Sequence, residues 1–272
     1  MNNYKQLNYL IYTDNRKRYT SLPYAWNKIR TIKYLLTKIP ELPTSFIKEI
    51  KSFDEIKGLN VFVLKNSVGH SSRNVFVLDK IKNDVYIEKL RNKFFTSKHL
   101  SDIISKFDSP FLEKQVGCKI SPYDIKVHVF FGKICFFYIY KKSHHSGFEK
   151  SRYDGDLNYI SYNQMFNSDS FKNYSHIKEN KNLINIINVN ALQNIFNYSL
   201  KIFNNLDKLL YCSIDWLYDP VTGEYAFCEL TPTPFLLSKP IKEKFIVDYI
   251  YKNHQCYSDH NGLCNDNNIC IH

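Results

Sequence analysis

The sequence predicts an α+β protein whose strands come mostly as antiparallel hairpins. Three observations predict it. Runs rich in Val, Ile, Phe and Tyr occur in neighbouring pairs: 61–64 with 75–78, the two halves of 124–142, and 211–218 with 224–230. Two stretches, 25–37 and 190–210, carry apolar residues at three- and four-residue steps, the period of a helix buried along one face. With 272 residues, 44% hydrophobic and 16% aromatic, the chain can bury a substantial core, as one large domain or two lobes.

Taken in order, "AWNKIRTIKYLLT" (25–37) places Trp26, Ile29, Ile32, Tyr34, Leu35 and Leu36 near helical spacing. "IPELP" then stops the helix, because proline lacks an amide proton and restricts the residue before it. "LNVFVLKNSVGHSSRNVFVLD" (59–79) reads as two strands joined by a small polar loop. Residues 97–107 read as a short helix and "PFLEKQV" as a strand. "DIKVHVFFGKICFFYIYKK" (124–142) reads as a hairpin turning at "FGK". The polar region 143–188 shows little periodicity and is expected to contain a long loop or lid. In 190–210, Leu192, Ile195, Phe196, Ser199, Ile202, Phe203 and Leu206 form a core-packing stripe. "YCSIDWLYDPVTGEYAFCELTPTP" (211–234) reads as a further hairpin turning at "DPVTG".

A net charge of +11 and a pI near 9.1 fit an anionic partner, or a lysine-rich surface with no special partner. The lysines are scattered without a run of five, so no clustered basic stripe points to nucleic acid. No apolar run approaches the ~18 residues of a membrane span, and "MNNYKQLNYLIYTDNRKRY" turns polar at once without a signal core; the expected location is the cytoplasm. The cysteines form no CxxC pair. Cys118, Cys135, Cys212 and Cys228 read as small buried thiols. Cys256, Cys264 and Cys270, with His254, His260 and His272, fall in an Asn-rich tail whose spacing matches no common zinc pattern.

Asp215 and Glu229 interrupt two apolar runs, where a carboxylate is costly unless a cation or hydrogen-bond donors meet it. Alternation puts Ser213, Asp215 and Leu217 on one face, and Tyr225, Phe227, Glu229 and Thr231 on one face of the partner strand. If Asp215 pairs with residue 227 or 229, the two carboxylates become direct or diagonal neighbours. They would then repel unless a divalent cation joined them, and oxygen ligands of this kind suit magnesium; the alternative is that Asp215 simply pairs with a lysine and Glu229 caps a strand end. An odd register would send them to opposite faces. Lys65 ends an apolar strand beside "NSVGHSSRN", a small-residue loop suited to cradling phosphate through backbone N–H groups.

The order "NK…K…LP", "FVLK" with its small-residue loop, "FLEKQV" and "D…E.T..P", over residues 26–240, resembles the ATP-grasp superfamily. The resemblance implies two α+β lobes with antiparallel sheets clasping ATP, a reduced N-terminal segment (1–25), a central lobe (26–116), a C-terminal lobe (117–245) and a polar tail (246–272). It implies ATP and Mg²⁺ as cofactors and a ligase that joins a carboxylate to an amine through an acyl phosphate. Lys28 and Lys65 match the nucleotide-contacting lysines, and Ser67, Gly69, Ser71 and Ser72 lie in the loop that matches the phosphate-covering lid. In "EKQV", Glu113, the Lys114 carbonyl and the Val116 N–H would meet the adenine edge. Asp215 and Glu229 match the magnesium carboxylates, with Thr231 in place of the usual asparagine.

"DIKVHVFFGK" and "CELTPTP" look most like the group linked to teichuronopeptide and surface-polysaccharide biosynthesis. By that match Lys126 would point toward the transferred phosphate, and Asp124 would orient it or reach the ribose. Many relatives carry arginine where Ser213 stands, so Lys126 or Arg152 must supply the charge. The expected partners are small-molecule or glycan carboxylates and amines, with no nucleic acid. A kinase on the same fold and a catalytically weak nucleotide-binding protein are the alternatives. His144–His145 falls in the polar loop, where it would touch substrate or stand idle.

Overall fold

A computed structural model describes residues 13, 15–22, 25, 27–67, 74–117, 122–143, 147–161, 177–206 and 209–232. Gly69, Ser71, Ser72, His144–His145, Trp26, Cys118 and the 246–272 tail lie outside the described residues. The described chain builds two six-stranded sheets. The first takes β1 (Phe46–Glu49), β2 (Val61–Asn66), β3 (Val75–Lys82), β4 (Val85–Glu88), β5 (Lys93–Thr96) and β6 (Pro110–Glu113) in the order β1-β6-β2-β3-β4-β5. Its pairs are all antiparallel. The second takes β7 (Tyr123–Phe130), β8 (Lys133–Ser143), β9 (Gly147–Asp154), β10 (Ile177–Glu179), β11 (Tyr211–Tyr218) and β12 (Tyr225–Thr231) in the order β10-β9-β8-β7-β11-β12. Only its β9–β10 pair is parallel.

Each sheet has its own core. Phe62, Leu64, Leu78, Tyr86 and Leu112 pack with Leu100 and Ile104 of helix α2 (Ser97–Ile104). Thr96 caps α2 by accepting from the His99 N–H. The larger core gathers Ile125, Val127, Ile139, Ile214 and Trp216 with Ile195, Phe196 and Ile202 of α3 (Val189–Asn204). Ile32 and Leu35 of α1 (Lys28–Lys38) join this second core, although chain order groups that helix with the first sheet. Asn27 caps α1 by accepting from the Arg30 N–H at 3.0 Å, and the helix ends before Pro40. Ser199, the one polar member of the α3 stripe, accepts a 3.0 Å hydrogen bond from the buried Trp216 indole.

Both expected hairpins form. The first turns on Phe131 and Gly132, both at positive φ (49° and 73°), as a tight hairpin requires. The second turns at Gly223, also at positive φ (73°). The region 143–188 also supplies β9, β10 and a 3₁₀ turn, Leu183–Ile186, while its residues 162–176 lie outside the described residues. Its strands stay polar because one face carries Lys150 and Arg152 instead of apolar residues, which hides the alternation. Among the described residues no helix is long and apolar enough to cross a membrane.

Candidate active site

Alternation along β7 and β11 builds the site. Ile125, Val127 and Val129, with Cys212, Ile214 and Trp216, point into the second core. That leaves Asp124, Lys126 and His128, with Ser213, Asp215 and Leu217, on the opposite face. Asp215 pairs with Glu229 on one side and Lys126 on the other. The row continues through Tyr138 of β8 to Arg152 of β9.

The even register expected for the hairpin is therefore the one found, with a correction. Trp216 pairs with Phe227, so Cys228 is an extra residue that bulges β12. The bulge reverses alternation, so Tyr225 and Phe227 do not share a face with Glu229 and Thr231. Phe227 packs edge-on against Trp216 at 5.9 Å in the core, while Glu229 stays beside Asp215.

Lysines from three elements converge on these acids. Lys126 Nζ lies 2.8 Å from Asp215 Oδ2, and Lys28 Nζ, from the first turn of α1, lies 2.7 Å from Glu229 Oε2. Lys65, at the end of β2, pairs with Glu113 at 2.5 Å and approaches the Cys228 sulfur of the other sheet at 3.8 Å. The two sheets thus meet over β12.

The environment sets the charges. Burial pushes the Asp215 carboxyl up to about 6, assisted by the negative charge of Glu229 and opposed by the Lys126 ammonium. Burial would also raise Glu229, but Lys28, with Lys126 and Lys65, holds that carboxyl below its usual range. Burial alone would lower Lys65; the Cys228 sulfur and the Glu113 carboxylate reverse this and raise it. Burial pushes the Cys228 thiol up to about 12, so at neutral pH the charge facing Lys65 is that of Glu113.

The structure brings together Lys28, Lys65, Lys126, Glu113, Asp215 and Glu229. Glu113 is engaged by Lys65 and almost fully buried. Val116 is buried, and the Lys114 side chain bridges at 2.6 Å to Glu224, in the turn before β12. The Ser67 N–H donates to the Ser109 carbonyl at 3.0 Å, while its hydroxyl is buried with no partner among the described residues. Asp124 shares the Lys126 face, opposite Leu217 and Tyr140. Thr231 pairs with Ser213, whose hydroxyl reaches the Thr231 carbonyl at 3.5 Å. Arg152 lies two strands beyond Lys126, fully buried, 3.4 Å from Glu179.

Sequence reasoning missed the groups around Arg152. Lys150 lies over the rings of Tyr138 (3.6 Å) and Tyr140 (4.6 Å), a cation–π stack. His128 stacks on Phe136 at 4.1 Å, and its Nδ1 lies 2.9 Å from the Tyr211 hydroxyl. Burial first, then Lys126 and Lys150, hold His128 well below its usual value and therefore neutral. The alternation of "FEKSRYD" puts Lys150 and Arg152 on one face once a third strand is recognised there.

Asp215 and Glu229 also fit a magnesium ion. Asp215 Oδ1 is buried and has no hydrogen-bond partner among the described residues, leaving an oxygen available to a cation. No cluster of three His, Cys, Asp or Glu side chains able to hold a metal occurs among the described residues. Magnesium needs no such cage, since it commonly takes one or two carboxylates together with phosphate oxygens and water.

No family model and no curated protein sequence matches the chain. Solved structures do. A D-alanyl-alanine synthetase A from Vibrio cholerae O1 biovar eltor is similar with a TM-score of 0.53 at 14% identity, over 87% of this chain and 65% of its own. A D-alanine–D-alanine ligase from Bacillus anthracis, complexed with ATP, gives 0.51 at 13% identity, over 86% of this chain and 67% of its own. An N5-carboxyaminoimidazole ribonucleotide synthetase in its ADP complex gives 0.48 at 13% identity, over 77% of this chain and 45% of its own. The chain thus spans at most about two thirds of these proteins. With its paired sheets and the matched ligases, the chain has the ATP-grasp fold: two α+β lobes with antiparallel sheets.

Proposed function

We propose that the chain belongs to the ATP-grasp superfamily and is an Mg·ATP-dependent carboxylate–amine ligase. The observation that carries this reading is the row Glu229–Asp215–Lys126 on one face, with Lys65 reaching it from the other sheet. In this reading Asp215 and Glu229, with Thr231 beside them, hold magnesium, which when bound offsets phosphate charge. Lys28, Lys65 and Lys126 supply fixed positive charge to the phosphates. Ser67, Gly69, Ser71 and Ser72 belong to the covering loop. The Lys114 carbonyl and the Val116 N–H meet the adenine edge beside Glu113, and Asp124 meets the ribose or steadies Lys126. Arg152, behind Tyr138, adds the charge that Ser213 cannot.

In the reaction a substrate carboxylate oxygen attacks the γ-phosphorus of ATP and ADP leaves. An amine then attacks the acyl carbon of the resulting acyl phosphate, inorganic phosphate leaves with the bonding pair, and the nitrogen gives up one proton to phosphate or water. No side chain acts as nucleophile; the chain positions the reactants and neutralises charge. The motifs "DIKVHVFFGK" and "CELTPTP" favour substrates of surface-polysaccharide or amino-acid and peptide conjugate biosynthesis. Dependence on ATP favours a cytoplasmic location.

Ser213 and Thr231 support a second reading, a weak nucleotide-binding protein, because a serine brings no charge to a migrating phosphoryl group and Thr231 stands in for the usual asparagine; a kinase on the same fold is the other alternative. ADP release measured against pooled amino acids, amino alcohols and uronic acids, with mass spectrometry of the products, separates these. An amide with free phosphate supports the ligase, and a stable phosphorylated acceptor the kinase. No turnover despite Mg·ATP binding leaves the nucleotide-binding protein.

A further inference from the structure

We infer that Lys126 and Lys28 serve as internal counter-ions of the carboxylate pair, so that the chain takes up a divalent cation and a nucleoside triphosphate together and neither well alone. The inference deepens the proposed reading of the site and rests on it for the nucleotide. Each candidate metal carboxylate already holds one ammonium: Asp215 that of Lys126 at 2.8 Å, Glu229 that of Lys28 at 2.7 Å. The four side chains keep 21% to 33% exposure, so both pairs are open to exchange with solutes.

A divalent cation arriving alone has two routes. It can displace the ammoniums and strand two lysines in one pocket, or bind beside them against their repulsion. A bare triphosphate meets the opposite problem, because the lysines it needs are held by carboxylates whose charge repels it. When both arrive, the cation takes the carboxylates and the phosphate oxygens take the lysines, so every charge keeps a partner. Asp215 Oδ1, buried and without a partner among the described residues, is an oxygen the cation can use without first breaking a lysine contact. Linkage makes the effect reciprocal: the factor by which nucleotide raises cation affinity is the factor by which the cation raises nucleotide affinity.

The test uses Mn²⁺, which takes the same oxygen ligands as Mg²⁺, and follows loss of the free-ion electron paramagnetic resonance signal beyond the loss that the nucleotide alone causes without protein. Wild type is titrated with Mn²⁺ alone and with a non-hydrolysable ATP analogue. The expected result is at least about tenfold tighter Mn²⁺ binding with the nucleotide than without it. Lys126→Gln should bind Mn²⁺ alone about tenfold more tightly than wild type, because the repelling ammonium is gone, while its nucleotide affinity falls. Lys28→Gln, on a helix instead of in the sheet, should move the same way and decides the matter if Lys126→Gln does not fold; thermal melts establish folding. Equal Mn²⁺ binding with and without nucleotide, or folded lysine variants that bind Mn²⁺ no more tightly than wild type, overturns the inference while leaving the nucleotide site standing. Failure of wild type to bind the Mn²⁺–nucleotide complex at all overturns the proposed site and this inference with it.

Discussion

Lys65 and Glu113 form a 2.5 Å ion pair between β2 and β6, with side chains only 10% and 2% exposed. A pair this deep is costly to break from one side, because the remaining charge is left buried without its partner. Glu113→Gln should therefore cost about 3–5 kcal/mol of stability in urea unfolding, and Lys65→Met a similar amount. The double variant Lys65→Met with Glu113→Leu should recover much of the loss. A Lys65 variant that has lost nucleotide affinity is informative only at temperatures where its melt shows it folded.

The Asp215 carboxyl, pushed up to about 6 chiefly by burial, gives stability an unusual pH slope. Its folded value lies above that of the unfolded chain, so between the two the folded state binds more protons and stability falls as pH rises. Asp215→Asn removes this term. In chelator-treated buffer the variant should be about 2 kcal/mol more stable than wild type at pH 7, with little difference at pH 4. Thermal melts of both proteins at the two pH values check it; a variant less stable at pH 7 contradicts the assignment.

Asn15 fastens the N-terminal segment to the hairpin that carries the acids. Its Oδ1 accepts from the Leu210 and Tyr211 N–H groups at 2.7 and 3.2 Å. Its Nδ2 donates to the Tyr211 carbonyl at 2.8 Å and to the Pro232 carbonyl. The side chain is fully buried, so Asn15→Ala leaves several backbone groups without partners and should cost about 3 kcal/mol in urea unfolding. Asn15→Asp should not rescue it, since a carboxylate cannot donate to the two carbonyls.

Thr231 stands opposite Ser213, with Glu229 two residues before it on the same strand. Thr231→Asn puts a longer oxygen ligand at that place. It should leave the melting temperature within a few degrees of wild type and keep or tighten Mn²⁺–nucleotide binding. A tenfold loss of that binding would contradict the match of Thr231 to the asparagine ligand position.

The sequence made the central hairpin legible because its signals are local. "DPVTG" locates the turn but leaves the register open: counted out from the turn the pairs run Tyr218–Tyr225 and Trp216–Phe227, and only the bulge brings Asp215 opposite Glu229. The bulge at Cys228 was not legible, because one extra residue in a strand leaves no mark on composition; only the ladder shows that Phe227 turns to the core. Strands β9 and β10 escaped because Lys150, Arg152 and Glu179 sit where alternation would call for apolar residues. Strands β4 and β5, the last two of the first sheet, are short, four residues each, and give too little periodicity to read. Asn15 was invisible for a different reason: its partners lie 195 and more residues away in the chain.

The central claim is that Asp215 and Glu229 hold a divalent cation against the phosphates of ATP. Anomalous scattering from crystals grown with Mn²⁺ and a non-hydrolysable ATP analogue tests it most directly. The expected result is one manganese peak within coordination distance of oxygens of both Asp215 and Glu229, also bound by phosphate, with Lys126 moved from Asp215 to a phosphate oxygen. A nucleotide bound with no metal at either carboxylate, and with the Lys126–Asp215 pair intact, would contradict it.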